Sequence, residues 1–114
     1  MNNNFNSLDD NGNNIIHKLV KKNNSKILKD KLEILLEKGK LKKMVNQKNY
    51  FGYTPLHCAI KNYNQECAQI LINNGADTRI ITDNGYQVKW VKDKSQKGGE
   101  FQNSLKEITG IRFI

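Results

Sequence analysis

Apolar residues near the middle of the chain are spaced as on one face of a short helix. Leu56 and Ile60 lie four residues apart, which is the spacing of a helical face that packs against a core. Just before them, Thr54 can cap a helix with its hydroxyl oxygen, and Pro55 suits the first helical position. Gly52 can take a positive φ in a turn. The stretch FGYTPLHCAI therefore predicts a turn, a cap and a short helix.

A similar arrangement occurs earlier in the chain. Gly12 and His17 are five residues apart, as are Gly52 and His57, and the two pairs are offset by 40 residues. In this alignment Asn14, which is as good an N-cap as threonine, takes the position of the capping threonine. The chain therefore contains an internal repeat.

A second apolar segment ends in glycine in both units. DKLEILLEKG at 30–39 aligns with ECAQILINNG at 66–75, and glycine is a common helix stop. Together the two alignments predict antiparallel helix pairs over 14–39 and 54–75. They place the extra residues of the first unit in KNNSKILK and in GKLKKMVNQKN.

The stretch GYTPLHCAIKNYNQECAQILINNGAD resembles an ankyrin repeat. It has the G-x-T-P-L-H-x-A opening, a second helix that ends in paired aliphatic residues, and a final G-A-D. The matching residues are Gly52, Thr54, Pro55, Leu56, His57, Ala59, Leu71, Ile72, Gly75, Ala76 and Asp77. The resemblance implies an all-α fold, a short ankyrin-repeat solenoid of two to three helix-turn-helix repeats with hairpin loops.

The resemblance also divides the chain into four segments. Residues 1–8 are polar and are predicted to be disordered. Residues 9–48 resemble a degenerate first ankyrin repeat with insertions, and 49–81 hold the clear repeat. Residues 82–114 are predicted to be a diverged terminal, capping repeat.

The terminal segment departs furthest from the family pattern. Gln87 and Val88 stand where the Thr-Pro pair begins a first helix, and Asn103 or Ser104 can cap a last helix. This tail is interpreted as the second half of a terminal repeat, although it can equally reach into a partner.

One position in the clear repeat also departs from the pattern. The family usually has glycine between the two helices, where Tyr63 stands here. Asn62 or Asn64 is expected to supply the left-handed residue instead, since asparagine tolerates that conformation best after glycine.

Length and charge limit the classes of protein to consider. The chain has 114 residues, enough for one domain, and a formal net charge of +8. Eleven lysines and three acidic residues lie between 18 and 48, so that segment carries the excess. It is either a surface for nucleic acid or an acidic partner, or a solvated lysine-rich face.

The chain shows no pattern for a membrane span or a secretory signal. Its cysteines, Cys58 and Cys67, do not make a disulfide framework. They are interpreted as reduced core thiols, which indicates a cytoplasmic or nuclear location.

No catalytic, metal or cofactor site is predicted. His17, His57, Cys58 and Cys67 match no zinc-ligand spacing, and no phosphate-binding loop occurs. The ankyrin resemblance implies that the two histidines have a structural role, with hydrogen bonds around the capping residue and the neighbouring loop.

The ankyrin resemblance implies binding through hairpin tips and inner helices. Aromatic and basic residues near the turns are the candidate contacts, since tyrosine is favoured at interface hot spots. They are Tyr50, Phe51, Tyr53, Lys61, Arg79, Tyr86 and Lys89. Phe51 or Tyr53 can instead pack on the adjacent hairpin, and Trp90 is expected to fill the terminal core.

The expected function is therefore a non-enzymatic adaptor or inhibitor that binds a protein partner. The asparagine-rich and lysine-rich style is similar to ankyrin proteins of large DNA viruses and intracellular parasites, which suggests a host factor inside the cell. The alternative is nucleic-acid binding through the lysines at 18–48, although these lysines lack interleaved aromatic residues for base stacking. Self-association is a third interpretation, because two or three repeats are marginally stable alone.

Overall fold

Five helices and one two-stranded ribbon make up the described part of the chain. The computed structural model describes residues 7–88 and 111–113. The elements are α1 (Ile15–Lys21), α2 (Ser25–Glu37), α3 (Leu41–Val45), α4 (Pro55–Lys61), α5 (Gln65–Asn73), β1 (Tyr86–Val88) and β2 (Ile111–Phe113). Helices α1 and α2 form one pair, and α4 and α5 form the second. Since α1 packs on α4 and α2 packs on α5, the two pairs stack as a short solenoid. The predicted all-α repeat fold is confirmed, and the ribbon is an addition to it.

The predicted caps begin the inner helices α1 and α4. The side-chain oxygen of Asn14 accepts hydrogen bonds from the N–H groups of Ile16 and His17, at 2.9 and 3.1 Å. Thr54 accepts from the His57 N–H at 3.3 Å, and proline holds the first position of α4. Asparagine also caps the outer helices α2 and α5, so all four helices of the pairs have a side-chain cap.

A single apolar core fills the space between the stacked pairs. Its residues come from all five helices, at the helical spacing that the sequence predicted. They are Ile16, Val20, Leu28, Leu32, Leu35, Leu41, Met44, Val45, Leu56, Cys58, Ala59, Ile60, Cys67, Ala68 and Leu71.

The extra residues of the first repeat lie in one of the two places predicted, GKLKKMVNQKN at 39–49, and in the longer α2. The turns between the paired helices have three residues in both repeats, so the turn that begins KNNSKILK holds no insertion. Instead α2 has 13 residues and α5 has 9, which makes α2 longer by about one turn. The other extra residues fold as α3, a helix that the sequence did not predict and that buries Leu41, Met44 and Val45.

The left-handed residue between α4 and α5 is Tyr63 itself, with a φ of 55°. The expectation that Asn62 or Asn64 would take this conformation was wrong, because Asn62 ends α4 and Asn64 caps α5. Asn23 occupies the equivalent position in the first repeat, with a φ of 58°. The stacked repeats therefore keep the turn geometry even where a tyrosine must adopt it.

A ribbon follows the second repeat. Strand β1 pairs antiparallel with β2, with Tyr86 opposite Phe113 and Val88 opposite Ile111. Gln87 and Val88 therefore do not begin a helix, contrary to their alignment with the Thr-Pro pair. The pair lacks the proline and the short capping side chain of that motif, and β-branched valine favours strands. The last helix predicted from Asn103 or Ser104, like Trp90, lies outside the described residues.

Candidate functional site

Three tight turns lie next to one another along one edge of the stack. We call them tip one (9–13), tip two (49–53) and tip three (82–85). In each tip a glycine with positive φ donates its N–H to the carbonyl oxygen three residues earlier, at 2.9 Å. Glycine is needed there because side chains rarely tolerate positive φ.

Tips one and two also share a side-chain cap. Asp9 Oδ1 accepts hydrogen bonds from the N–H groups of Asn11 and Asn13, both at 2.9 Å. Asn49 Oδ1 accepts in the same way from the N–H groups of the second and fourth residues after it, both at 3.0 Å. Asp and Asn favour such turns because their side chains mimic a backbone acceptor.

Tip two is hydrogen-bonded to tip one, and tip three packs against tip two. Asn49 Nδ2 donates to Asn13 Oδ1 at 2.8 Å, and the backbone N–H of Tyr50 donates to the carbonyl oxygen of residue 11 at 2.9 Å. A Cβ added to Gly12 would lie 2.4 Å from the Tyr50 ring, and one added to Gly52 would lie 2.4 Å from the Asp83 side chain. One residue of each following tip therefore covers the preceding glycine.

Two buried histidines connect the helix caps to the following loops. His17 Nδ1 accepts the Asn14 N–H at 3.0 Å, and His17 Nε2 donates to the Tyr53 carbonyl oxygen at 2.9 Å. His57 does the same between Thr54 and the Ile80 carbonyl oxygen, at 3.0 and 3.1 Å. The structural role that the resemblance implied is confirmed.

Burial also sets the charge of these rings. It lowers the pKa of His17 to about 4 and lowers the pKa of His57. Because each Nδ1 accepts a backbone N–H, the neutral ring with its proton on Nε2 fits both sites. The two histidines therefore act as neutral connectors at neutral pH.

A groove of about 700 Å³ lies between tip two and the ends of the inner helices. Tyr50 and Phe51 line it with 68% and 57% of their surfaces exposed. Tyr53 also lines it but packs partly against the core. Lys21 and Lys61 come from the last turns of α1 and α4, and the Lys61 Nζ lies 4.9 Å from the centre of the Tyr53 ring. The groove thus combines aromatic surface with two exposed cations.

The aromatic pair on tip two is not a requirement of the turn. Tip one has the sequence Asp10-Asn11-Gly12, and tip three has the same residue types at 83–85. Tip two keeps the same backbone hydrogen bond with Tyr50 and Phe51 in place of aspartate and asparagine. The same turn therefore also forms with polar residues at these two positions.

The structure brings together four of the predicted contacts, namely Tyr50, Phe51, Tyr53 and Lys61. Arg79 lies elsewhere: its Nε contacts Asp77 Oδ1 at 3.0 Å beside a second groove that also includes Leu36. Of the proposed packing alternatives, Tyr53 is half-buried while Phe51 is exposed. Tyr86 falls in β1, and Lys89 lies outside the described residues.

Sequence reasoning missed two charged residues of the groove, Lys21 and Asp83. Lys21 stands 40 residues before Lys61, the same offset as between the two histidines. The alignment of the two repeats therefore places Lys21 at the position equivalent to Lys61. Asp83 lines the groove because tip three stacks on tip two. Its carboxylate pairs with Lys48 Nζ at 3.2 Å.

The thiols contribute no obvious chemistry to the groove. Cys58 and Cys67 are free and buried, and burial raises the pKa of both, so they stay protonated at neutral pH. Within residues 7–88 and 111–113, no three His, Cys, Asp or Glu side chains are placed to hold a metal ion. The same residues contain no helix that is long and apolar enough to cross a membrane.

A family model described as ankyrin repeats (3 copies) matches residues 1–82. Comparison with curated proteins gives no match.

Proposed function

The chain belongs to the ankyrin-repeat family, and on that basis we propose that it is a non-enzymatic adaptor or inhibitor that binds a protein partner. Ankyrin repeats are generally protein–protein interaction modules. The proposed contact surface is the groove beside tip two, with Tyr50, Phe51 and Tyr53 as its aromatic contacts and Lys61 at its edge.

The observation that carries this proposal is the pair of exposed aromatic rings on a fixed turn. Tyr50 and Phe51 expose more than half of their surfaces, whereas the equivalent positions of tips one and three are polar. Aromatic side chains dominate interface energetics when a partner covers them. Because hydrogen bonds to tip one already fix tip two, binding would cost little ordering of the backbone.

The proposed partner is a protein inside the cell, and a host factor fits the sequence style. Two buried free thiols are consistent with the reducing conditions of cytoplasm or nucleus. Nucleic-acid binding is the rival function. The lysines between 18 and 48 are spread over α1, α2, α3 and the loops, which does not favour a continuous track for a phosphate backbone.

Affinity capture with matched variants tests the proposal. Three baits are immobilised: the full-length protein, the Tyr50→Ala/Phe51→Ala variant and the Tyr63→Ala variant. Each is incubated with the same cell lysate, with and without nuclease treatment. Tyr63 is the control because it is an equally exposed aromatic residue, at 66%, outside the groove.

The expected result is a protein that binds the wild type and Tyr63→Ala and is lost with the double variant. Each aromatic residue is expected to contribute about 1–3 kcal/mol of binding free energy. Proteins retained equally by all three baits, or retained only without nuclease treatment, would contradict the proposal.

A further inference from the structure

The cations of the groove have no carboxylate partner within the described residues. Lys21 and Lys61 are exposed and form no ion pair there. Both stand in the last turn of a helix, where the negative end of the helix dipole favours a charged ammonium group. The acidic residue of the lining, Asp83, is already paired with Lys48. The charge left to be complemented by a partner is therefore positive.

The cations and the exposed aromatic rings come from different elements. The two lysines belong to the inner helices, whereas Tyr50 and Phe51 belong to tip two. An extended peptide between these elements would present alternate side chains to each, because successive residues of a strand point in opposite directions. This arrangement suits carboxylates on one side of the peptide and apolar groups on the other.

The groove also offers hydrogen bonds for a peptide backbone. The exposed side-chain amides of Asn62 and Asn84 line it and form no hydrogen bond with a described residue. Each amide can donate and accept, which matches the N–H and C=O groups of an extended chain.

We infer that the occupant is an extended peptide segment in which acidic residues alternate with apolar ones. This inference rests on the proposed function, and it adds the chemistry of the partner. A continuous chain of phosphates along the groove would have to pass the exposed carboxylate of Asp83. Among the described residues, Lys21 and Lys61 are the only Lys or Arg residues that line the groove, and two separate cations match spaced carboxylates of a peptide better than a continuous chain of phosphates.

A display selection of random short peptides against the full chain tests the inference. Peptides that bind the wild type but not Tyr50→Ala/Phe51→Ala are taken as groove ligands. We expect them to be enriched in Asp and Glu that alternate with apolar residues.

Charge variants then test the two lysines directly. Lys21→Glu/Lys61→Glu should weaken a selected peptide about tenfold or more, and Lys21→Met/Lys61→Met, which keeps the aliphatic stem, should weaken it less. Lys26→Glu/Lys29→Glu makes the same charge change on exposed residues of α2 outside the groove, and should change binding by less than about threefold. Circular dichroism checks that every variant is folded.

Three results would overturn the inference in distinguishable ways. Groove ligands without acidic enrichment would contradict it and leave the proposed function standing. A selection that yields no peptide dependent on Tyr50 and Phe51 would contradict the proposed function as well. A single-stranded oligothymidylate that displaces the peptides at physiological salt would identify the groove as a nucleic-acid site instead.

Discussion

The first and second repeats form the same hydrogen bonds with different residues. Asn14 and Thr54 cap equivalent helices. His17 and His57 connect equivalent loops. Asp9 and Asn49 accept equivalent hydrogen bonds within their tips. Where the two repeats differ most, on the outward residues of tips one and two, the backbone is the same. The scaffold therefore tolerates exchange at these outward positions, and the turn alone does not explain the aromatic residues of tip two.

The two tip glycines should differ most in their response to alanine. Gly52→Ala is expected to cost about 3 kcal/mol of unfolding free energy, because its Cβ would meet the Asp83 backbone N at 2.7 Å in addition to the strain of positive φ. Gly12→Ala should cost about 1–2 kcal/mol, since the three atoms nearest its Cβ all belong to the ring of Tyr50, which is exposed enough to move. Urea denaturation measures both. Equal losses would contradict the account of stacked tips.

The histidines should make the protein sensitive to acid. The pKa of His17 lies at about 4 in the folded state and at about 6.5 in the unfolded state, so the unfolded chain binds a proton first as the pH falls. Stability is therefore complete above the ordinary histidine pKa and is lost as the pH falls toward about 4. His17 alone accounts for up to about 3 kcal/mol of this loss.

His57, whose folded-state pKa is also lowered, adds a loss of the same sign. Urea denaturation between about pH 7 and pH 4 measures the slope, with His17→Gln as the control that should flatten it. A wild-type slope unchanged by this substitution would mean that His17 does not stay neutral in the folded protein.

The two caps should not be equally important. Thr54→Ala is expected to cost about 1 kcal/mol through the lost cap. Asn14→Ala should cost about 2 kcal/mol, because the Asn14 amide also donates to the Met44 carbonyl oxygen at 3.0 Å and to Gln47 Oε1 at 2.8 Å. Thermal unfolding of the two variants shows which substitution costs more stability. A larger loss for Thr54→Ala would show that the Asn14 contacts to Met44 and Gln47 contribute little.

Glycine substitutions at the two left-handed positions between the helices should change the unfolding free energy differently. Tyr63→Gly is expected to stabilise the protein by about 1 kcal/mol, since it removes the steric cost of positive φ and the side chain is mostly exposed. Asn23→Gly should be neutral or destabilising, because Asn23 tolerates the conformation and accepts a hydrogen bond from Asn64. Chemical denaturation measures both, and a destabilised Tyr63→Gly would point to a packing role for that ring.

The features predicted from sequence are those that local chemistry decides. The caps at Asn14 and Thr54 and the helix pairs follow from short-range capping and apolar spacing. Helix α3 was missed because Leu41–Val45 is too short for a periodic signal and has no side-chain cap at its start. Its stability comes from burial of three apolar residues in the shared core.

The candidate groove was only partly predictable for a similar reason. Tyr50 and Phe51 are neighbours in sequence, so a turn beside them was enough to place both on one surface. Lys21 and Asp83 reach the groove through stacking of repeats one and two and of tips two and three, which no local pattern encodes. The left-handed Tyr63 was missed because stacking overrides the preference of a single residue.

The most direct measurement exchanges the outward residues of tip two for those of tips one and three. Tyr50→Asp/Phe51→Asn gives tip two the same Asp-Asn-Gly sequence, and the account predicts an unfolding free energy within about 1 kcal/mol of the wild type. Titration of the captured partner against both proteins should show binding weakened by about tenfold or more. A folded variant that binds the partner as tightly as the wild type would contradict the claim that the aromatic pair is there for recognition.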